Sequence, residues 1–263
     1  MNVFQHQVHK KLRTILVTVI VFGLMGFGVF TFGEEKTKDE ETQLKEAALN
    51  ALLMMEGEDV MPVLEKILNR KDNPKLREKA VFILSQKGSE KAIPILIRVA
   101  KTDPDMEVRE KAVFWLGQMG DEKAFDALVD IYNTTKEQKL KEKLIFSFSQ
   151  HRSEKSFQKL LEIAHKDANE EAREKAVFWI SQSGKKEAAN ILLKIVNEDS
   201  SQSVREKAVF GLSQLPEKAG VPYLIKIAKN HKDMKIRKKA IFWLGQSKHP
   251  DAVKALEEIA NGK

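Results

Sequence analysis

No cysteine occurs in the 263-residue sequence, which excludes structural disulfides and thiolate metal sites. Proline and glycine are scarce, at 7 and 13 residues, and only 2 tyrosines are present. Against these shortages stand many Ala, Glu, Lys and Leu, a balance that favours helices. Nor does the chain carry a block of one charge sign. Of the net +7, +3 comes from Lys10, Lys11 and Arg13, which have no acid beside them. The other 42 basic residues are interspersed with 38 acidic ones, the pattern of a solvated surface rather than a phosphate-binding stripe. Nucleic acid is therefore not an expected partner.

Motifs of catalysis are missing too. No H-E-x-x-H, G-x-S-x-G or P-loop occurs, and Ser183-Gly184-Lys185-Lys186 lacks the upstream Gly and following Ser/Thr that phosphate binding needs. The six histidines (His6, His9, His151, His165, His231 and His249) are scattered. The sequence predicts no catalytic residue, no metal ligand and no cofactor, and reads as a non-enzyme.

One long uncharged run is present. Thr14 to Gly33 spans twenty residues, enough at ~1.5 Å per helical residue to cross a hydrocarbon core of ~30 Å. Lys10, Lys11 and Arg13 precede it, and Glu34, Glu35, Asp39, Glu40 and Glu41 crowd its far side along with Lys36 and Lys38. Basic residues prefer the cytoplasmic side, so the expected topology has the N-terminus inside and everything after Gly33 outside, periplasmic or extracellular. Two readings of the run stay open. One is an uncleaved transmembrane anchor; the other is a signal peptide cut after Gly33, with Thr31 and Gly33 as the small residues before the cut, giving a soluble periplasmic protein. The expected organisation is a basic cytoplasmic tail (1–13), a transmembrane helix or signal anchor (14–33), an acidic linker (34–42) and a repeat region (43–263).

From Arg77 onward the chain repeats itself. REKAVFILSQ begins at Arg77, REKAVFWLGQ at Arg109, KEKLIFSFSQ at Lys141, REKAVFWISQ at Arg173, REKAVFGLSQ at Arg205 and RKKAIFWLGQ at Arg237, each 32 residues after the last. Such a period is the signature of a solenoid, in which each unit buries its apolar face on its neighbours. Each unit reads as two helices. Asn73 and Pro74 are N-cap and N1 signals for a first helix running to about Lys87, and Gly88 stops it. A second helix follows with Pro94 near its first turn and a stripe of Ile93, Leu96, Ile97 and Ala100. Counting back places a degenerate first unit, with Ala48 and Leu52 aligned to Ala80 and Leu84. The prediction is all-α: about seven helix pairs from Gln43 to Ala260 in a right-handed α-solenoid. Glu257, standing where other units have Ile97, Val129, Leu161, Leu193 and Ile225, fits an end cap.

The pattern V-R-x-x-A-x-x-x-L-G, then G-D, then a helix with a central Leu resembles HEAT repeats, closest to the short bacterial kind called phycobilisome-lyase-like. Val108, Arg109, Ala112, Leu116, Gly117, Gly120 and Asp121 carry it most clearly. The resemblance implies a protein-binding scaffold, whose partner would be a protein or an extended peptide. It also leaves open, as an alternative, a lyase-like protein acting on a chromophore or other modified protein. The unit at Lys141 departs from the pattern, with Lys141 for arginine, Leu144 for alanine and Arg152 for glycine, and predicts a local irregularity. No histidine is followed by Glu, unlike the paired His-Glu iron sites of HEAT-type deoxyhypusine hydroxylases.

A candidate site emerges from a helical wheel. With Ala80 at zero and ~100° per residue, Phe82 falls near ~200° and Gln86 near ~240°, on the polar side beside Lys75 and Lys79. Every full unit nevertheless has Phe there: Phe82, Phe114, Phe146, Phe178, Phe210 and Phe242. Four residues on, every full unit has Gln: Gln86, Gln118, Gln150, Gln182, Gln214 and Gln246. Read as a docking ladder, one Phe–Gln pair per unit meets about every third residue of an extended chain, given helices ~8–10 Å apart and ~3.3 Å per residue. Two other readings stand beside it: neighbouring helices half-bury the ring in a structural ladder, or duplication copied it without selection. The next position alternates through Ile83, Trp115, Ser147, Trp179, Gly211 and Trp243, which predicts that each indole fills core space left by a small neighbour.

Overall fold

A computed structural model describes residues 35–55, 60–151 and 153–262. The predicted tail (1–13) and transmembrane segment (14–33) lie outside the described residues. Among the described residues there are only helices and turns, and no helix is long and apolar enough to cross a membrane.

The described chain forms fourteen α-helices: α1 (Glu35–Met54), α2 (Met61–Leu68), α3 (Pro74–Lys87), α4 (Ala92–Thr102), α5 (Met106–Met119), α6 (Glu122–Thr134), α7 (Gln138–His151), α8 (Glu154–Lys166), α9 (Glu170–Ser181), α10 (Ala188–Glu198), α11 (Gln202–Ser213), α12 (Val221–Asn230), α13 (Met234–Ser247) and α14 (Pro250–Ala260). A short 3₁₀ turn, Pro216–Lys218, precedes α12. The chain divides into two units at Lys45/Glu46. Of the first, only the opening of α1 is described. It is helical through the stretch expected as an acidic linker, because Glu, Lys, Gln and Leu are strong helix formers. From α2 on, the second unit is layered, the odd-numbered helices α3 to α13 forming one layer and the even-numbered helices α2 to α14 the other.

Local chemistry sets the period. At 32-residue spacing Asn73, Asp105, Asn169, Ser201 and Asp233 cap the odd helices, each side chain accepting a backbone N–H of the first turn. Each such cap contributes ~0.5–2 kcal/mol. Gly88 and Gly120 end α3 and α5 with φ of 59° and 67°, a left-handed conformation that Gly adopts without steric cost. Packing then joins the pairs through one apolar cluster running from Leu49 to Ala252. Of the expected stripe on α4, Ile93, Leu96 and Ala100 are buried and Ile97 is half-buried against the core. Glu257 on α14 is exposed, consistent with an end cap.

A staple inside the α3/α4 and α9/α10 pairs was not read from the sequence. Arg77 of α3 donates both Nε and Nη2 to Asp103 after α4, each at 2.9 Å, and both side chains are almost wholly buried. Arg173 and Asp199 repeat this at 2.9 and 3.1 Å. The matching pair in the irregular unit is Lys141 and Asp167, at 3.8 Å. There the Tyr132 hydroxyl donates to Asp167 at 2.7 Å and takes over much of the missing arginine's role. Burial, and secondarily the bond to Asp167, pushes the Tyr132 phenol well above its ordinary range. Arg109 has Thr135 at the register of Asp103 and bonds the Ala100 carbonyl instead.

Candidate aromatic groove

Odd helices bring the phenylalanines to one face. Phe82, Phe114, Phe146, Phe178 and Phe210 are half-buried, and Phe242 on the last odd helix is exposed at 54%. Ring contacts run from repeat to repeat. Phe82 lies 5.5 Å from Trp115, Phe114 stacks on Phe146 at 6.1 Å, and Phe146 lies 5.3 Å from Trp179. Farther on, Phe210 lies 5.1 Å from Trp243. Within a helix Phe114–Trp115, Phe178–Trp179 and Phe242–Trp243 meet edge to face at 4.9, 5.0 and 4.9 Å. The polar side of the wheel is thus an aromatic ladder whose rings cover one another and still present an open edge.

The tryptophans differ from the core filling expected of them. They pack against the core yet are only half-buried, each a wedge between the phenylalanine before it and its own. The small residues between them set the opposite spacing. Ser147 is buried and donates to the Val113 carbonyl at 3.1 Å, and a Cβ on Gly117 would stand 2.7 Å from that of Ser147. A Cβ on Gly211 would come within 3.2 Å of Ser181. Backbones therefore approach closely at α5/α7 and α9/α11, whereas an indole stands between α3 and α5, α7 and α9, and α11 and α13.

A groove of about 750 Å³ crosses α3, α5 and α7, floored by Phe82, Phe114, Phe146 and Trp115. A second, of about 540 Å³, shares Lys143 and Phe146 with it and continues past Phe178 and Trp179 to Lys207 on α11. Lys and Glu form its banks, and sequence alone did not give their pairing. They link successive repeats, Glu110 with Lys139 and Lys143 at 3.1 and 3.5 Å and Glu142 with Lys175 at 3.1 Å, and beyond the groove Glu206 pairs with Lys239 at 3.0 Å in the same way. Burial raises the Glu78 carboxyl above its ordinary value. The Gln202 hydrogen bond, then Lys239, holds Glu206 below it. The signal for these residues was the invariant Lys of each R/K-E/K-K triplet, three residues before Phe.

The glutamines sit one turn farther on. Gln86, Gln150, Gln182 and Gln214 each donate Nε2 to the preceding serine hydroxyl, at 3.0–3.2 Å. That serine in turn donates to the carbonyl of the same helix's Phe, at 2.6–2.7 Å. Gln118 and Gln246 follow glycine and lack this anchor. Gln150 and Gln182 line a separate, serine-rich hollow of about 440 Å³ between α7, α8 and α9 that meets the aromatic groove at Trp179. Phe and Gln thus adjoin but do not share one floor. Among the described residues no group of three His, Asp or Glu is placed to hold a metal ion.

Compared with known proteins, the chain matches the family of HEAT repeats over residues 61–149 and 189–263. Among curated proteins no relative matches. It is similar to the solved structure of human deoxyhypusine hydroxylase in complex with glycerol, at 21% identity, covering 83% of this chain and 84% of that one, with a TM-score of 0.39. It is similar to the complex of CpcE and CpcF of phycocyanin lyase from a Nostoc species, at 18% identity, covering 76% and 82%, with a TM-score of 0.43. It is also similar to YibA of Escherichia coli, at 17% identity, covering 84% and 79%, with a TM-score of 0.45. None of these structural likenesses bears on what the chain does.

Proposed function

The chain belongs to the HEAT-repeat family, and from that premise we propose that it is a non-enzymatic scaffold that docks an extended protein segment along its odd helices. The observation that carries this reading is the groove floored by Phe82, Phe114, Phe146 and Phe178, open along its length and banked by Lys and Glu, with Glu110 paired to Lys143 and Glu142 to Lys175. Half-exposed rings in a row give an apolar side chain somewhere to go. Paired Lys and Glu banks give a backbone polar neighbours without demanding a ligand of one charge. Ring spacing between Phe114 and Phe146, 6.1 Å, suits side chains two residues apart in an extended chain, which advances ~3.3 Å per residue. The glutamines, four of the six fixed by their serines, are assigned a lesser part in docking.

The scaffold is held at the cytoplasmic membrane by residues 14–33, with its repeats on the outer side. What supports this is the uncharged run itself and its basic N-terminal flank. Both parts can be tested. A photo-crosslinking residue placed at Phe114 or Phe178 in intact cells should capture one defined partner. The same residue at exposed Lys186, away from the groove, should not. Capture that is equal from all three positions refutes the groove. A reporter active only outside the cytoplasm, fused after Lys263, should be active, and protection of the C-terminus from external protease in spheroplasts refutes the topology.

A further inference from the structure

We propose that the segment docked in the aromatic groove carries acidic and basic side chains in alternation, one to each odd helix from α3 to α9. This rests on the groove reading above and adds to it the class of ligand. Each of these helices lends the groove one Glu and one Lys at adjoining positions, from Glu78 and Lys79 to Glu174 and Lys175 in 32-residue steps. Those two charges cancel helix by helix. What is left over is the residue one turn before the Lys, on the same face. It is Lys75 on α3, Glu107 on α5, Lys139 on α7 and Glu171 on α9, all four exposed and all four lining the groove. The rim therefore reads plus, minus, plus, minus. Counting by 32, the uncharged Gln43 precedes this run and the uncharged Ser203 follows it. The phenylalanine floor, Phe82 to Phe178, covers the same four helices.

These charges are not used up inside the protein. Lys75 and Glu107 have no ion-pair partner among the described residues. Glu110 is shared by Lys139 and Lys143, at 3.1 and 3.5 Å, which leaves one positive charge over. Lys175 is shared in the opposite sense by Glu142 and Glu171, at 3.1 and 3.5 Å, which leaves one negative charge over. Exposed pairs of this kind are weak and give way to a better-placed partner. Helices ~8–10 Å apart match every third residue of an extended chain, which gains ~3.1 Å per residue in the polyproline II form. The complementary segment thus reads acid, base, acid, base in three-residue steps, with apolar residues between them for the rings. Its net charge is zero, so the order of its charges sets it apart from other apolar segments. Such complementarity fixes register and rejects wrong partners more than it adds affinity.

Three fluorescent ten-residue peptides test this by anisotropy on the purified full chain at low salt. All have Leu-Ser between the charged places. The first carries Asp, Lys, Asp and Lys at every third place, the second the same residues ordered Asp, Asp, Lys and Lys, and the third Ser at all four. The first should bind about tenfold tighter than the second, about threefold for each of the central places where they differ, opposite Glu107 and Lys139. The second meets as many repulsions as attractions and should match the third. Glu107→Lys combined with Lys139→Glu turns the rim to plus, plus, minus, minus. It should reverse the preference with an unchanged melting temperature, since both residues are exposed. Glu107→Gln alone should cut the tenfold preference to about threefold, and added salt should erase it. Equal binding of all three peptides overturns the proposal and leaves the groove reading standing. So does a native preference that survives in the double variant or in Glu107→Gln. If none of the three binds, the groove reading falls and the proposal with it.

Discussion

Replacing Gly117 and Gly245 by alanine, one at a time, isolates tertiary packing from local sequence, because both glycines sit in the same four residues, WLGQ. Alanine in a helix interior is favoured over glycine by ~0.8–1.0 kcal/mol. At Gly245 nothing lies within 4 Å of the new Cβ, so that gain should appear nearly whole, reduced a little by proximity to the helix end. At Gly117 the Cβ lands 2.7 Å from Ser147 Cβ, 3.0 Å from its Cα and 3.1 Å from its carbonyl oxygen. Two of those atoms are backbone, so α7 itself must retreat, stretching the Ser147–Val113 hydrogen bond of 3.1 Å. Such overpacking costs ~1–3 kcal/mol. Gly117→Ala should therefore fall ~1–3 kcal/mol below Gly245→Ala in urea unfolding of dilute protein followed by circular dichroism. Adding Ser147→Gly to Gly117→Ala should recover part of the loss. Equal stabilisation by both alanines would refute the close approach of α5 and α7, and with it the alternating spacing of the aromatic ladder.

Further expectations concern the staples and the rings. Asp103→Ala leaves Arg77 buried without its partner and should cost ~3–5 kcal/mol, while the Arg77→Met, Asp103→Leu pair should come close to the native stability in the same unfolding assay. The Tyr132 phenol is raised in the folded state, first by burial and then by Asp167. Its contribution is thus fully present below the unfolded value of ~10 and is lost above it, at ~1.4 kcal/mol per pH unit. Alkaline unfolding should accordingly set in at higher pH in Tyr132→Phe, relative to that variant's neutral stability; identical pH profiles would remove Tyr132 from the account. Phe114→Ser should cost about half of the ~3–5 kcal/mol of a fully buried ring and Phe242→Ser well under ~1 kcal/mol, as melting curves would report. If Phe114→Ser leaves stability untouched, the rings owe nothing to each other and the ladder is purely a binding surface.

The local grammar of this chain was legible because it is local. Asn73, Pro74 and Gly88 mark the ends of the fourteen-residue α3 from within its own segment, and the 32-residue recurrence of REKAVF states how often the motif returns. Helix number, helix pairing and the apolar stripes follow from 3.6-residue periodicity, which a single segment carries whole. The wheel also placed Phe82 away from the Ala80 side, and the half-exposed rings lie there. How deep a ring sits is another matter. It depends on the distance to the next odd helix, and that distance is set by whichever of Trp115, Ser147, Trp179, Gly211 or Trp243 stands between the two backbones. The partners of charged residues were equally out of reach. Arg77 meets Asp103 across twenty-six residues and Glu110 meets Lys143 across the stack, contacts that exist only once two helices lie side by side. Within one window, Glu and Lys read as a solvated face; only the tertiary structure turns them into the banks of a groove. The same WLGQ is a filled slot at Gly117 and an empty one at Gly245, because a helix's sequence specifies its shape while its neighbours decide what that shape receives.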